Sequence, residues 1–190
     1  MRSFSTARGI ITAFIIIAAW LGSLAALLSI AIDPVWVLPG MAWMTFLSTG
    51  LFITAHDAMH GTVAPGRRGL NDAIGRLAVT LYALMSYSTL HAKHHEHHAH
   101  PASPGEDPDF HDGEHRGFWR WYAHFGWSYV SWKQIVGMAI VFNVFAHVLH
   151  IPEPNLFAFW VGPLVLSTLQ LFYFGTYLPH RGDHDPEDPH

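Results

Sequence analysis

The sequence predicts an all-α integral membrane protein: four transmembrane helices, further helices lying in the interface, and a histidine-rich metal site on the cytoplasmic side. Three observations predict it. The 190 residues are 51% hydrophobic and only 13% charged, where a soluble domain is roughly 25% charged. Four stretches contain no Asp, Glu, Lys or Arg: Gly9–Ile32, Pro34–Ala55, Gln134–Pro152 and Asn155–Leu178. Each is near or above the roughly 20 apolar residues that cross a bilayer. Histidine occurs 16 times, with six copies in the run His91–His100, "HAKHHEHHAH".

The first stretch follows Arg2 and Arg8. It is too long for the apolar region of a signal peptide, and no small-residue cleavage site with a polar start follows it, so it reads as a retained span. Asp33 alone separates it from the second stretch, which makes the two a tight hairpin. The third and fourth stretches are joined by Glu153 and the prolines beside it. Neither connection carries a positive charge. All ten Lys and Arg residues (Arg2, Arg8, Arg67, Arg68, Arg76, Lys93, Arg116, Arg120, Lys133, Arg181) fall on the other side. An excess of positive charge marks the cytoplasmic side, so the N-terminus, the long middle region and the C-terminus are expected there.

Two further stretches are expected to lie along the surface. Asn71–Leu90 contains Arg76. As a fifth span it would set Arg67 and Arg68 opposite Arg116 and Arg120 and leave an odd number of crossings, so it reads as a helix in the cytoplasmic interface. Gly117–Trp132 interleaves eight aromatic residues with Arg120, the pattern of an interfacial aromatic helix. No internal repeat is visible. Residues 1–180 read as one membrane domain and 181–190 as a polar tail.

The histidines then follow from the topology. The second span runs into "TAHDAMHGT", where His56 and His60 are four apart and share a helix face. Asp57 lies between them, placed to orient an imidazole through a hydrogen bond. In the long run, His94, His97 and His98 share a face in the spacing HxxHH. His95 extends this to HHxHH, and His91 lies one turn earlier. The fourth span re-emerges at "FGTYLPHRGDH" and returns His180 to the same side. Three separate segments thus deliver imidazoles to one membrane face. His147 and His150 lie near the outer end of the third span, about 30 Å away. His111, His115 and His124 sit in an acidic, aromatic loop and read as exposed.

Composition narrows the chemistry. There is no cysteine, which excludes disulfides, thiolate nucleophiles and iron–sulfur clusters. The net charge of −4, spread over loops and the C-terminus, gives no field suited to nucleic acid. The zinc-protease spacing HExxH is absent, since Ala99 stands at its fifth position after His95 and Glu96. No P-loop or dinucleotide fingerprint is present, so electrons must come from a partner. Four ligands satisfy a structural zinc; six converging histidines suit two ions. Imidazole holds Zn, Cu, Fe or Ni alike. Attack on an unactivated C–H bond of a lipid-soluble substrate calls for oxygen chemistry at iron.

The segments "LFITAHDAMHGTVAPGRRGLNDAIGRL", "KHHEHHAHP", "DPDFH" and "FGTYLPHR" together resemble the carotenoid ketolases of the beta-carotene 4-ketolase type, within the membrane fatty acid desaturase and hydroxylase superfamily. The resemblance runs from about Leu51 to His180. It implies two non-haem irons (iron(II) when reduced) held by histidine, with O₂ as oxidant and a ferredoxin-type protein as electron donor. By that resemblance His56 and His60 form a first histidine box. His94, His97 and His98 form a second, with His95 and His91 as less central candidates, and His180 matches the histidine after the fourth span. The implied substrate is a carotenoid in the lipid bilayer. The implied reaction is two hydroxylations at C4 of a beta-ionone ring and loss of water, giving echinenone and canthaxanthin from beta-carotene. The superfamily carries a third HxxHH-type box some tens of residues further on. His184 and His190 do not have its spacing, so a truncated or divergent member lacking two or three ligands is expected. A fatty-acyl desaturase or hydroxylase, or an inert member that binds metal without turnover, are the alternative readings.

Overall fold

The computed structural model describes residues 2–103, 105–111 and 117–181, with the side chains of 2–5 excepted. His115, His184, His190 and nearly all of the expected polar tail lie outside the described residues. Among the described residues every regular element is helical. Helix α1 covers Arg2–Ser29 and α2 covers Pro34–Met59. Between them the Asp33 side chain accepts a hydrogen bond from the Val35 N–H at 2.9 Å. Pro34 occupies the first helical position, where its missing N–H costs nothing. The tight hairpin expected from sequence is therefore built from an N-cap and a proline.

Helix α2 stops by a glycine device. Gly61 has φ +71°. Its N–H reaches the Ala58 carbonyl at 3.0 Å, and the Thr62 N–H reaches back to the Asp57 carbonyl at 3.0 Å. Those two bonds are the Schellman pattern, which closes the last turn on a left-handed residue. The stop falls directly after His60, so His56 and His60 occupy the final turn of α2.

The chain then turns back through a loop held by one side chain. Asn71, 2% exposed, accepts from the Ala64 N–H and donates to the Ala64 and Arg67 carbonyls. Helix α3 (Arg68–Ala83) packs against α2, and α4 (Tyr87–Ala99) follows. The single interfacial helix expected over Asn71–Leu90 is thus two helices. The break is made by Leu84, which adopts φ 52° and closes α3 through a Met85 N–H bond to the Val79 carbonyl. Ser86 then caps α4 by accepting from Thr89 N–H. Neither Gly nor Pro marks this break.

Helix α5 (Phe118–Tyr129) is the expected aromatic helix, with Trp121 buried and Trp119 and Trp127 exposed. Helix α6 (Trp132–Asn143) continues through a wide π-helical turn, Val144–Val148. The last long helix, α7 (Glu153–His180), contains two more such turns, Phe157–Val161 and Tyr173–Tyr177.

Among the described residues, three helices are long and apolar enough to cross a membrane: Thr6–Ser29, Pro34–Met59 and Glu153–His180. The third expected span, Gln134–Pro152, is shorter in the structure. Its helix runs Trp132–Val148 and reaches spanning length only together with α5, from which it bends by 88°. It ends early because His150 takes φ 53° and Pro152 cannot continue the hydrogen-bond ladder.

Between α1, α2, α3 and α7 lies a core of Trp20, Leu24, Met44, Leu47, Leu51, Tyr82, Leu156, Phe159 and Leu164. Small polar groups pair inside it. Trp20 Nε1 donates to Ser48, Thr49 pairs with Ser167 at 2.9 Å, and the Tyr82 hydroxyl donates to Ser167. In lipid such pairs contribute about 0.6 kcal/mol each. At the end bearing Asp33, the buried Asn155 donates to the Leu27 and Ile30 carbonyls, fastening the end of α1 to the start of α7. The outward faces carry large apolar groups, such as Phe14 (69%), Leu38 (73%) and Phe46 (65%).

Candidate metal centre

His56, His60, His94, His97, His98 and His180 gather at the end of the bundle opposite Asp33. Four rings make a tight group. His56 and His60 lie 4.7 Å apart between ring centroids, His56 and His94 4.6 Å, His60 and His94 4.6 Å, His94 and His98 4.5 Å, and His60 and His98 5.0 Å. All are set edge to face. The pairs His56/His60 and His94/His98 each come from i, i+4 spacing on one helix, and the two helices bring the pairs together.

Helix α4 is held in place by a close approach. A Cβ on Gly75 would lie 2.2 Å from the Tyr87 ring, so only glycine lets that buried ring approach α3 this closely. Tyr87 and Leu90 form the buried face of α4, which turns the histidine face toward α2.

His97 leaves the tight group. Its ring is 5.5 Å from His98 and 6.1 Å from His180, which arrives at the end of α7. On its other edge, His97 Nδ1 lies 2.9 and 3.0 Å from the two oxygens of Asp107 and 3.8 Å from Asp109. The Tyr129 hydroxyl donates to Asp109 in a short contact. Lys93 donates to the Ser128 carbonyl and lies 4.8 Å above the Tyr129 ring, joining α4 to α5.

His91 and His95 stack on each other at 4.2 Å, and the His95 Nδ1–H donates to the His91 carbonyl. They stand beside the group rather than within it. Asp57 reaches His56 Nδ1 only at 3.5 Å, with both side chains about half exposed. His111 is not the exposed residue expected: it is half-buried against Trp121 and Phe110, because the acidic loop folds down onto α5. His124 is exposed as expected, and His147 and His150 are also exposed.

Two carboxylates were missed. Asp107 and Asp109 belong to "DPDFH", which in the sequence marks only the family resemblance. Their signal was a pair of acids shortly after a histidine cluster, but the loop that folds them back cannot be inferred from spacing.

The electrostatics favour neutral rings. Burial, reinforced by His56, His60 and His98, pushes His94 down to about 3. Burial and the neighbouring His56 lower His60 as well. At neutral pH these rings offer lone pairs, the form that binds metal. His60 Nε2 and His94 Nε2 lie 2.8 Å apart. Two metal–nitrogen bonds of about 2.1 Å meeting at a right angle set their nitrogens about 3 Å apart, so the pair already has the spacing of adjacent ligands. Three helices also end here, with His60 capping α2, His97 and His98 in the last turn of α4, and His180 closing α7. The carbonyl end of a helix carries partial negative charge, which suits a cation. Burial raises the Asp109 carboxyl, while Tyr129 and His97 hold it back. The donor set is mainly imidazole nitrogen with carboxylates behind it, and it fits a metal centre.

The fatty acid desaturase family model matches residues 34–152. A beta-carotene ketolase of Haematococcus lacustris is 46% identical over 143 residues, covering 75% of this chain and 44% of that protein. A beta-carotene ketolase of Paracoccus sp. (strain N81106 / MBIC 01143) is 43% identical over 183 residues, 95% of this chain and 74% of the relative. A zeaxanthin 4-ketolase of Chlamydomonas reinhardtii is 42% identical over 147 residues, 77% of this chain and 32% of the relative. The chain spans less than half the length of these algal relatives. No solved structure matches it. On the family match and the Paracoccus relative together, the chain belongs to the fatty acid desaturase family, as a member of carotenoid-ketolase type.

Proposed function

We propose that this chain carries the metal-binding membrane portion of a carotenoid ring ketolase, which places a 4-keto group on beta-ionone rings and converts beta-carotene through echinenone to canthaxanthin. One observation carries the reading. Imidazoles from α2, α4 and α7 converge at one end of an apolar bundle, in a chain whose relatives bear ketolase names.

His56, His60, His94, His97, His98 and His180 would hold two irons, with His91 and His95 alongside. When bound, the irons supply O₂-dependent hydroxylation, which opens unactivated C–H bonds that no side chain of the protein can attack. Electrons come from a ferredoxin-type donor. The chain's own residues do the rest. The apolar surfaces of the helices take up the carotenoid from the bilayer and orient its ring. His60 and His94, held toward the neutral form, keep their lone pairs for metal. The helix ends at the site stabilise positive charge. Four membrane crossings, with α5 and α6 forming a bent one, would place both termini and the histidines on the cytoplasmic side of a bacterial inner membrane.

Expression of the gene in a bacterium that accumulates beta-carotene tests the reading. Chromatography of the extracted pigments is expected to show echinenone or canthaxanthin. A host that makes the protein, retains its iron and produces no new keto-carotenoid overturns the substrate assignment. In that case altered fatty-acyl chains in the same cells would point to the acyl reading instead.

A further inference from the structure

Asp107 is the most deeply buried acid among the described residues, with its carboxylate fully enclosed. Its hydrogen bonds account for both oxygens. Oδ1 accepts from the Asp109 N–H at 2.9 Å and Oδ2 from the Ala102 N–H at 2.8 Å. His97 Nδ1 lies within 3.0 Å of both. An ionised carboxylate accepts and cannot donate. The short contact therefore places a proton on His97 Nδ1; in the neutral ring the lone pair is then on Nε2, away from Asp107.

The loop itself is shaped around this carboxylate. Ala102 takes φ 56° and Gly105 φ 82°. A left-handed alanine costs about 1 kcal/mol or more, and the Ala102 N–H spends its bond on Asp107. The Asp107 N–H returns to the Ser103 carbonyl at 2.9 Å. Residues 100–103 and 105–109 thus wrap a charge whose side-chain partner is the imidazole that turns away from the tight group toward His180. With its oxygens committed to two backbone donors and one ring, Asp107 is poorly placed to act as a ligand itself.

We propose that Asp107 is a positioning residue for His97: its buried carboxylate fixes the ring orientation and the Nδ1-protonated tautomer, presenting Nε2 to a metal ion. This rests on the reading of His97 as a ligand. Loss of a carboxylate behind a ligating histidine costs roughly 10–100-fold in metal affinity.

The test begins with the unmutated chain in lipid nanodiscs, free of metal and labelled with ¹⁵N-histidine. A His97→Gln sample assigns the signal. His97 is expected as the Nδ1–H form, and the Nε2–H form overturns the proposal. Cobalt(II) titration then measures coupling. Asp107→Asn, which keeps the side-chain volume, is expected to weaken cobalt binding by roughly 10–100-fold, and to change it less than about twofold in a His97→Ala background. Equal losses in both backgrounds mean that Asp107 merely holds the loop, and overturn the proposal, as does an Asp107→Asn chain with unchanged affinity. These readouts need no carotenoid. Coupling found in a protein that makes no ketone would sink the substrate reading alone, and ketone formation without coupling would sink this one alone.

Discussion

Two acids sit beside histidines of the same cluster, and they differ in nearly every physical respect. Asp57 stands one residue from His56, about half exposed, at 3.5 Å. Asp107 is ten residues from His97, fully enclosed, at 2.9 Å, and bound by two backbone N–H groups as well. Adjacency along the chain made Asp57 the candidate for orienting an imidazole. Burial and a closed loop give Asp107 the stronger geometry. On a helix, neighbours i and i+1 point about 100° apart, so sequence adjacency is a poor guide to side-chain contact. A loop can return an acid to a histidine from any distance.

The same contrast separates the two lobes of the cluster. His56, His60, His94 and His98 are set by helical periodicity on α2 and α4. His97 and His180 depend on a loop and on the end of α7. The largest expected effect tests the periodic lobe. His94→Ala removes the ring that touches His56, His60 and His98 at once. Its loss is expected to cost more metal affinity than the roughly 10–100-fold associated with an outer partner and to abolish ketone formation. Metal analysis of the purified protein and pigment chromatography check it. Retained metal at wild-type occupancy would break the distinction between the lobes.

Next comes the device that aims α4. Gly75→Ala drives a methyl to within 2.2 Å of the Tyr87 ring. Overpacking of this kind costs about 1–3 kcal/mol. The expected outcome is a lowered melting temperature together with weakened cobalt binding, because the Tyr87 face sets the direction of every histidine on α4. Thermal unfolding in nanodiscs measures the first and cobalt titration the second. A stability loss with intact metal binding would show that α4 can shift as a body without disturbing its rings.

How much of this was legible in the residues follows from the same physics. The apolar runs of α1, α2 and α7 and the HxxxH and HxxHH spacings are local patterns, and the structure has helices at each. The break at Leu84 was hidden because a leucine took the left-handed conformation that normally advertises itself as glycine. The end of the third span is hidden from composition, because the uncharged stretch runs on past Val148 through a left-handed His150 into Pro152. His111 was placed in solvent because its loop is acidic, although the ring packs on Trp121. Asp107 and Asp109 could not be assigned, since their contacts cross a turn whose shape depends on them.

A smaller effect probes the second acid of the loop. Tyr129→Phe removes the hydroxyl that donates to Asp109 and leaves the tilted ring contact with Phe125 and the cation contact with Lys93 in place. An unsatisfied buried acceptor costs about 1–3 kcal/mol, but Asp109 has water within reach at 20% side-chain exposure. The low end of that range is expected in thermal unfolding, with cobalt affinity down only a fewfold. A loss as large as that of Asp107→Asn would mean that the two acids act as one unit.

The smallest effect belongs to Asp57. A half-exposed pair at 3.5 Å is screened by solvent, and such surface pairs contribute roughly 0–1 kcal/mol. Asp57→Asn also leaves the helix stop untouched, because that stop uses the Asp57 backbone carbonyl, which accepts from both the Thr62 N–H and the Thr62 hydroxyl. Cobalt affinity is therefore expected to change by less than about twofold, and the melting temperature by no more than a surface pair allows. If Asp57→Asn instead weakened cobalt binding as much as Asp107→Asn, burial and loop closure would not be what separates these acids. His56 would then take its orientation from the neighbour that sequence adjacency proposes.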